Sequence, residues 1–387
     1  MDPFEQLPSD AYDLILQHLE FEDILNSFLV SKYWHQIISS QKCMEKIKLN
    51  LKLWKVMPET IKKRKIEDTI KIVKTTVRKY RSLSVNCKFD ENLSQEFWKL
   101  LEFLAESLID LKIINIRLKS VSSMSLPNLQ CLRLTDVPIE IRNSILGSCS
   151  SLKKLKIKTD ASNGLRTGKL GADTESIECI KKFMQRNHSL TDLEIIGESV
   201  FKSFFNENIS DVSKCQLQSL RIKTDMRLML ITEMNDINIV RFLTKQCNSL
   251  KSFYIDTCHK SVILFTFNSM PSLTSFQSDV MIMDMEDYSN NDFNFRLNEN
   301  IDDLRITYIS HSFGLKACLS CAPNLKKLFI GHLTHELMEF IARNLKHLMI
   351  LKYRFSEHDC HGYYEKLKHD YPEINRHIRL IVDILYH

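Results

Sequence analysis

The sequence predicts a mixed α/β chain. A short module of three helices is followed by a stack of strand–helix units closing into a horseshoe, with parallel strands on the concave face and helices on the convex face. Three observations carry this. The pattern L-x-x-L-x-L, with Ile, Val, Phe or Tyr also allowed, recurs along residues 80–350 at spacings of 20 to 38 residues. Helical apolar spacing fills the gaps between copies. Residues 4–40 carry more large apolar side chains than three short helices can hide.

Composition sets the outer bounds. Of 387 residues, 44% are apolar and 26% charged, ordinary for a globular protein, and the length allows two or three domains. Eight Gly and eight Pro exclude a collagenous or Gly/Pro-rich disordered chain. No run of 18 apolar residues is present, so no spanning helix is expected. The start, MDPFEQLPSD, lacks a basic stretch and an apolar core, so no signal peptide is expected. Eleven cysteines, an odd number in a long chain without a secretory signal, point to reduced thiols and to the cytoplasm and/or nucleus.

The first module spans residues 1–40. Leu7-Pro8 precedes Ser9, a good N-cap, and Leu14, Ile15, Leu16 and Leu19 make the apolar side of a first helix. Glu22 and Asp23 open a second helix, where acidic groups suit the positive end of the dipole; its apolar residues are Ile24, Leu25, Phe28 and Leu29. Ser31 caps a third, carrying Trp34, Ile37 and Ile38. About 40 residues rarely support an independent core. Part of this apolar surface must therefore meet another surface, either the following domain or a partner chain.

Residues 41–79 form a linker and N-terminal cap. Ile47, Leu49 and Leu51 alternate with Lys46, Lys48 and Asn50, the pattern of an edge strand. Ile66, Ile70, Val73 and Val77 have the spacing of a helix laid on the stack. Residues 42–81 hold 14 Lys+Arg against 4 Asp+Glu, including the run Lys62, Lys63, Arg64 and Lys65. A run of four is a low bar for a nuclear-import signal, and a solvated helix face is the simpler reading.

The repeats occupy residues 80–356, about eleven and irregular. Clear copies are Leu108–Leu111–Ile113, Leu129–Leu132–Leu134, Leu152–Leu155–Ile157, Leu190–Leu193–Ile195, Leu217–Leu220–Ile222, Leu250–Phe253–Ile255, Ile301–Leu304–Ile306, Leu325–Leu328–Ile330 and Leu345–Leu348–Ile350. Tyr80–Leu83–Val85 is weaker, and in Leu273–Phe276 the last position is Ser278. One such unit cannot bury its own apolar face, so units stack and share a core. This series resembles the leucine-rich repeat family. It departs from the family in that only Cys258 stands where an Asn or Cys usually follows the strand. Two insertions interrupt it: a Gly-containing one at 158–176 and an acidic one at 279–300. Residues 357–387 are read as a C-terminal cap.

Candidate chemistry is thin. Cys318-x-x-Cys321 with His332-x-x-His335 has zinc-like residue types, but the repeat places a strand between the pairs, so no metal site is expected. Gly164-Leu-Arg-Thr-Gly168-Lys169 is one residue short of a phosphate loop, and Leu170 replaces the needed hydroxyl. No nucleophile elbow, HExxH or kinase signature is present. No cofactor and no catalytic residue are assigned.

In L-x-x-L-x-L the residues flanking the second Leu point away from the core. These include Lys112, Arg133, Lys154, Lys156, Arg221 and Arg305, with Lys158 and Lys223 just after the third apolar position, joined by Tyr254, Phe329 and Met349. They are the candidate substrate-binding residues: a basic wall with an apolar anchor, suited to an acidic or phosphorylated protein segment. The alternative is that the lysines only confer solubility.

The N-terminal spacing resembles the F-box family at Leu7-Pro8, Ile15-Leu16, Leu19, Asp23-Ile24-Leu25, Val30-Ser31-Lys32 and Trp34, with Asp10 where the family usually has Glu. The resemblance implies docking onto the Skp adaptor, and through it a cullin–RING core, through Leu7, Pro8, Ile15, Leu16, Leu19, Ile24, Leu25 and Val30. It leaves Trp34 either at the adaptor or anchoring the third helix. The function it implies is that of a non-catalytic, substrate-recognition subunit of a Skp–cullin–F-box ubiquitin ligase, with the repeats binding the substrate. The alternative is a non-ligase scaffold that binds the adaptor only. No membrane or nucleic-acid partner is expected.

Overall fold

The computed structural model describes residues 7–8, 11, 15, 29–38, 48–53, 56–75, 79–87, 93–116, 124–159, 174–205, 214–224, 233–282, 295–309, 312–331, 333–356, 369–370 and 378–385. The chain divides into two compact units, Met1–Ile157 and Lys158–His387.

In the first unit the elements are α1 (Lys32–Ile38), β1 (Lys48–Leu53), α2 (Glu59–Thr75), β2 (Ser82–Cys87), α3 (Ser94–Leu104), β3 (Asp110–Ile114), β4 (Cys131–Thr135), α4 (Ile139–Gly147) and β5 (Lys154–Lys158), whose last residue begins the second unit. Strands follow chain order, and β1–β2, β2–β3 and β3–β4 pair in parallel. Alternation decides the strand faces. Leu111 and Ile113 are buried, while Asp110, Lys112 and Ile114 are half-buried on the other side. Helix α2 buries Ile66 and also Lys62, and Lys63 pairs with Glu96 of α3 at 3.0 Å. The Lys62–Lys65 run is therefore only partly a solvated face: two of its four cations serve packing within the unit.

The second unit contains α5 (Thr174–Arg186), β6 (Asp192–Ile196), α6 (Glu198–Phe204), β7 (Ser219–Lys223), α7 (Glu233–Gln246), β8 (Ser252–His259), α8 (Lys260–Ser269), β9 (Ser275–Ile282), β10 (Asp303–Ile309), α9 (Ser312–Ser320), β11 (Lys327–Ile330), α10 (His335–Asn344), β12 (Ile350–Ser356) and β13 (Arg379–Leu385). Strands β6 to β13 again follow chain order and pair in parallel. Phe253 and Phe276, which replace Leu in neighbouring copies, stack with ring centroids 5.7 Å apart, and Phe267 of α8 meets Phe276 edge-on at 5.9 Å. Ser278 takes a core position without an unmet polar atom. Its hydroxyl donates to the Val280 carbonyl at 3.0 Å and lies 3.4 Å from the Cys258 sulfur.

The strand starts share one device. The carbonyl one residue after the first apolar position accepts two successive N–H groups from the next copy. Arg81, Ile109 and Gln130 do this in the first unit; Thr191, Gln218, Lys251, Thr274, Asp302 and Lys326 do it in the second. A side-chain ladder runs beside it. Asn128, Ser272, Asn300 and Asn324 donate to the carbonyls of Glu106, Asn248, Pro271 and Glu299, each two residues before the previous copy's first apolar residue. The polar residue that the leucine-rich repeat family usually carries after each strand is mostly missing here, and a ladder before the strands stands in its place.

The structure corrects three expectations. The last copy is Leu348–Leu351–Tyr353, because Leu351 pairs with Leu328 and Tyr353 with Ile330. Leu345 continues the helical face of α10, four residues after the buried Ile341, and so does not start a strand copy. The segment read as a cap contributes a further parallel strand, β13, in register with β12. Strand β9 also runs through Asp279 to Ile282, inside the segment read as an insertion. Residues 160–173 and 283–294 of the two insertions, with the Gly-containing phosphate-loop look-alike, lie outside the described residues.

Two local features give stability predictions. Gly197 ends β6 at φ +109°, and a Cβ there would stand 2.2 Å from the Thr159 hydroxyl and 2.5 Å from its carbonyl. Gly197→Ala is expected to cost about 2–4 kcal/mol, from left-handed strain plus the displaced backbone, measured by urea unfolding. Burial pushes the thiols of Cys149 and Cys258 up to about 12 from an ordinary 9.0. The folded chain then holds more protons than the unfolded chain between these values. Their contribution is complete below about pH 9 and is lost as pH rises toward about 12. Unfolding free energy should therefore fall across that window, and Cys149→Ala should make the fall shallower.

Candidate functional site

The N-terminal module presents apolar side chains that its own chain leaves uncovered. Ser31 caps α1, its hydroxyl accepting the Trp34 N–H at 3.2 Å, and the helix turns Trp34 inward to 7% exposure. Just before it, Leu29 is 86% and Val30 66% exposed. Leu7 and Pro8 are also exposed, with the Pro8 carbonyl accepting the Ala11 N–H at 2.9 Å, and Ile15 is half-buried. Leu16, Leu19, Ile24 and Leu25 lie outside the described residues. Of the two places open to Trp34, its burial favours the anchor of α1, and Leu29, an apolar residue of the second helical segment, faces outward. Burying a Leu or Val side chain is worth about 1.5–3 kcal/mol each, stabilisation that this exposed edge forgoes in the chain alone.

Compared with known protein families, residues 4–46 match the F-box domain. This segment is an F-box. No curated protein matches the chain. F-box domains bind the Skp adaptor in Skp–cullin–F-box complexes, and the F-box here carries its exposed Leu7, Pro8, Leu29 and Val30 beside the buried Trp34.

Beyond the F-box, the open strand face is less uniformly basic than its sequence implies. In the first unit Arg133 pairs with Asp110 at 3.1 Å, and Lys48 approaches the same carboxylate at 3.6 Å. Lys112 and Lys156 are half-buried on this face, and Lys154 is exposed. In the second unit Lys158 is exposed and Lys223 half-buried. Arg221 pairs with Glu194 at 3.5 Å and lies 4.1 Å over the Tyr254 ring. The Tyr254 hydroxyl donates to Asp279 at 2.6 Å, and Thr307 donates to the other oxygen of that carboxylate at 3.5 Å. Burial first, then the Asp279 bond, raises the Tyr254 phenol well above its ordinary range. Tyr254 is a buried member of a polar network, and its ring is covered rather than offered as an anchor.

Further along the same row the arrangement changes. Arg305 of β10, Phe329 of β11 and Lys352 of β12 are register partners. Arg305 lies 4.5 Å and Lys352 5.7 Å from the Phe329 ring centroid, leaving that ring 8% exposed. Lys352 escaped the sequence reading because the last copy was placed three residues early. Met349, assigned to this row, instead sits at the turn before β12, 60% exposed, in a shallow depression with Glu299, Asn300, Asp302, Asn324, Lys326 and His347. The signal that finds Lys352 is the Leu325-to-Leu348 spacing of 23 residues, close to most other intervals.

The cysteine and histidine pairs are placed apart in secondary structure. Cys318 is buried on α9, Cys321 follows it, and His335 opens α10, while His332 lies outside the described residues. Among the described residues, no three His, Cys, Asp or Glu side chains gather as a metal site would require.

Tyr254→Phe deletes one bond to a charged acceptor and is expected to destabilise the protein by about 1.5–3 kcal/mol in urea unfolding. Arg221 and Thr307 hold their own partners independently, so the secondary structure should be unchanged by circular dichroism.

Proposed function

We propose that this chain is the substrate-recognition subunit of a Skp–cullin–F-box ubiquitin ligase and performs no chemistry itself. The F-box docks on the Skp adaptor, which joins a cullin–RING core. The strand–helix units, read as leucine-rich repeats, offer their open strand face to a protein substrate that is acidic or phosphorylated. The observation that carries the reading is an F-box whose Leu29 and Val30 stay exposed in the chain alone, followed by parallel repeats lined with charged and aromatic residues. Free thiols at the eight cysteines whose side chains are described suit a reducing compartment, the cytoplasm or nucleus.

The mechanism is geometric. One end fixes the chain to the transferase assembly and the other holds the substrate, so transfer to a substrate lysine becomes effectively intramolecular.

The test is affinity purification with the proteasome blocked. Leu29→Asp/Val30→Asp removes two exposed apolar contacts while costing the fold about 0.5 kcal/mol or less per site, so a lost adaptor cannot be blamed on unfolding. Adaptor capture should drop at least tenfold in this variant and in Leu7→Ala/Pro8→Ala, and proteins that gain ubiquitin only with the intact F-box would be the substrates. Recovery of the adaptor without a cullin would make the chain a non-ligase scaffold, and undiminished capture by both variants would sink the reading.

A further inference from the structure

We propose that β13 pairs with β13 of a second copy of this chain, antiparallel about Ile381, joining two molecules along one sheet edge. The inference goes beyond the substrate-receptor reading and does not rest on it.

Strand β13 ends the strand order of the sheet, and among the described residues it pairs only with β12. One bond fixes the direction of its backbone groups: the Arg379 N–H donates to the Met349 carbonyl at 2.7 Å. The N–H and C=O of a strand residue point to one side, and that side alternates along the strand. Arg379, Ile381 and Asp383 therefore turn their backbone groups to β12, while Leu380, Val382 and Ile384 turn theirs to the outer edge. A long edge of this kind is a template for another strand.

The sequence says which strand. Residues 378–384 read IRLIVDI, which complements its own reverse. Turned about Ile381, Ile378 meets Ile384 of the copy, Arg379 meets Asp383, Leu380 meets Val382, and Ile381 meets itself. Each charge faces its opposite, twice over, and every other pair is aliphatic. The backbone accepts the same register. Leu380 with Val382, and Ile378 with Ile384, become hydrogen-bonded pairs through the groups that the edge leaves open, and Ile381 forms the close, non-hydrogen-bonded pair on the two-fold axis.

The neighbouring strand leaves these charges room for the copy. Arg379 is exposed, and its register partner on β12 is Ile350, which brings it no carboxylate. Asp383 stands beside Arg354 in register and gains a second cation from the copy. Strand β1, at the other end of the strand order, is built differently. Turned about Asn50, its KLNLKL would set Lys48 against Lys52, and lysines of this kind keep an edge from pairing with itself.

The experiment is sedimentation equilibrium of the full chain at about 1–100 µM, since an interface this small is transient. The wild type should approach twice its 45.4 kDa and stop there. Arg379→Asp sets aspartate against aspartate and should raise the dimer dissociation constant at least tenfold. Arg379→Asp/Asp383→Arg restores opposite charges between copies and should recover at least threefold of that loss, short of all of it because Arg354 stands beside position 383. Ile381→Cys should give a disulfide-linked dimer with diamide, because the axis pair stands about 4.5 Å apart at Cα, within disulfide reach. Asp383→Cys, about 14 Å from its counterpart, should give none. The crosslink reads the pairing without weakening it, so it stands even where a charge variant loses stability in thermal unfolding. A monomer throughout the range, or a mass that climbs past the dimer as head-to-tail addition would make it, overturns the proposal. So does a dimer that Arg379→Asp leaves intact, a double variant without recovery, or an Ile381→Cys chain that links no faster than wild type. A dimer abolished by Leu29→Asp/Val30→Asp runs through the F-box and overturns it as well.

Discussion

One interaction sets the frame within each unit: a single carbonyl at the start of a strand accepts two successive N–H groups from the following copy. It fixes where each new strand begins relative to the last, and with a side-chain period of two this decides which residues are buried and which face outward. A slip of one residue would turn Arg305 and Lys352 into the core and bring Leu304 and Leu351 out. The Asn and Ser ladder supports the same junction, because Asn128, Ser272, Asn300 and Asn324 tie each turn to the one before it. The open face therefore derives its order from bonds at the strand starts, some distance from the side chains that it displays.

Much of this was legible in the residues. Ten of the strand copies fall where the triplets repeat, seven of them wholly aliphatic and three with Tyr, Phe or Ser at a position, since burying a pair of apolar residues per unit leaves an unmistakable spacing. The ladder before the strands was written in the sequence too, as a small polar residue immediately preceding the first apolar one in Asn128-Leu129, Ser272-Leu273, Asn300-Ile301 and Asn324-Leu325. Its residue types differ from copy to copy and also occur throughout the turns, so the pattern stands out only once the accepting carbonyls are known. The last copy was misplaced because Leu345 satisfies both a helix and a strand pattern, and only pairing with Leu328 resolves the tie. Strand β13 was invisible because His377 stands at the first position of its triplet.

The face itself shows why residue type alone misjudges charge. Lys48, Arg133 and Asp110 come from different strands, as do Glu194 and Arg221, so their mutual neutralisation is a property of register. The same holds for Tyr254, whose ring is hidden by an arginine from the neighbouring strand and whose hydroxyl is engaged by an aspartate from the other side. Opposite charges set side by side in this way neutralise Arg133 and Arg221 where the sequence alone shows a row of cations.

The exposed Leu29 and Val30 also bear on how the chain lives before assembly. A polypeptide made in excess of its adaptor would display a sticky edge of the kind that chaperones and proteases survey. Under the proposed substrate-receptor role, its cellular abundance would then track adaptor supply, keeping the two subunits in matched stoichiometry and removing orphan copies that could hold substrate without delivering it.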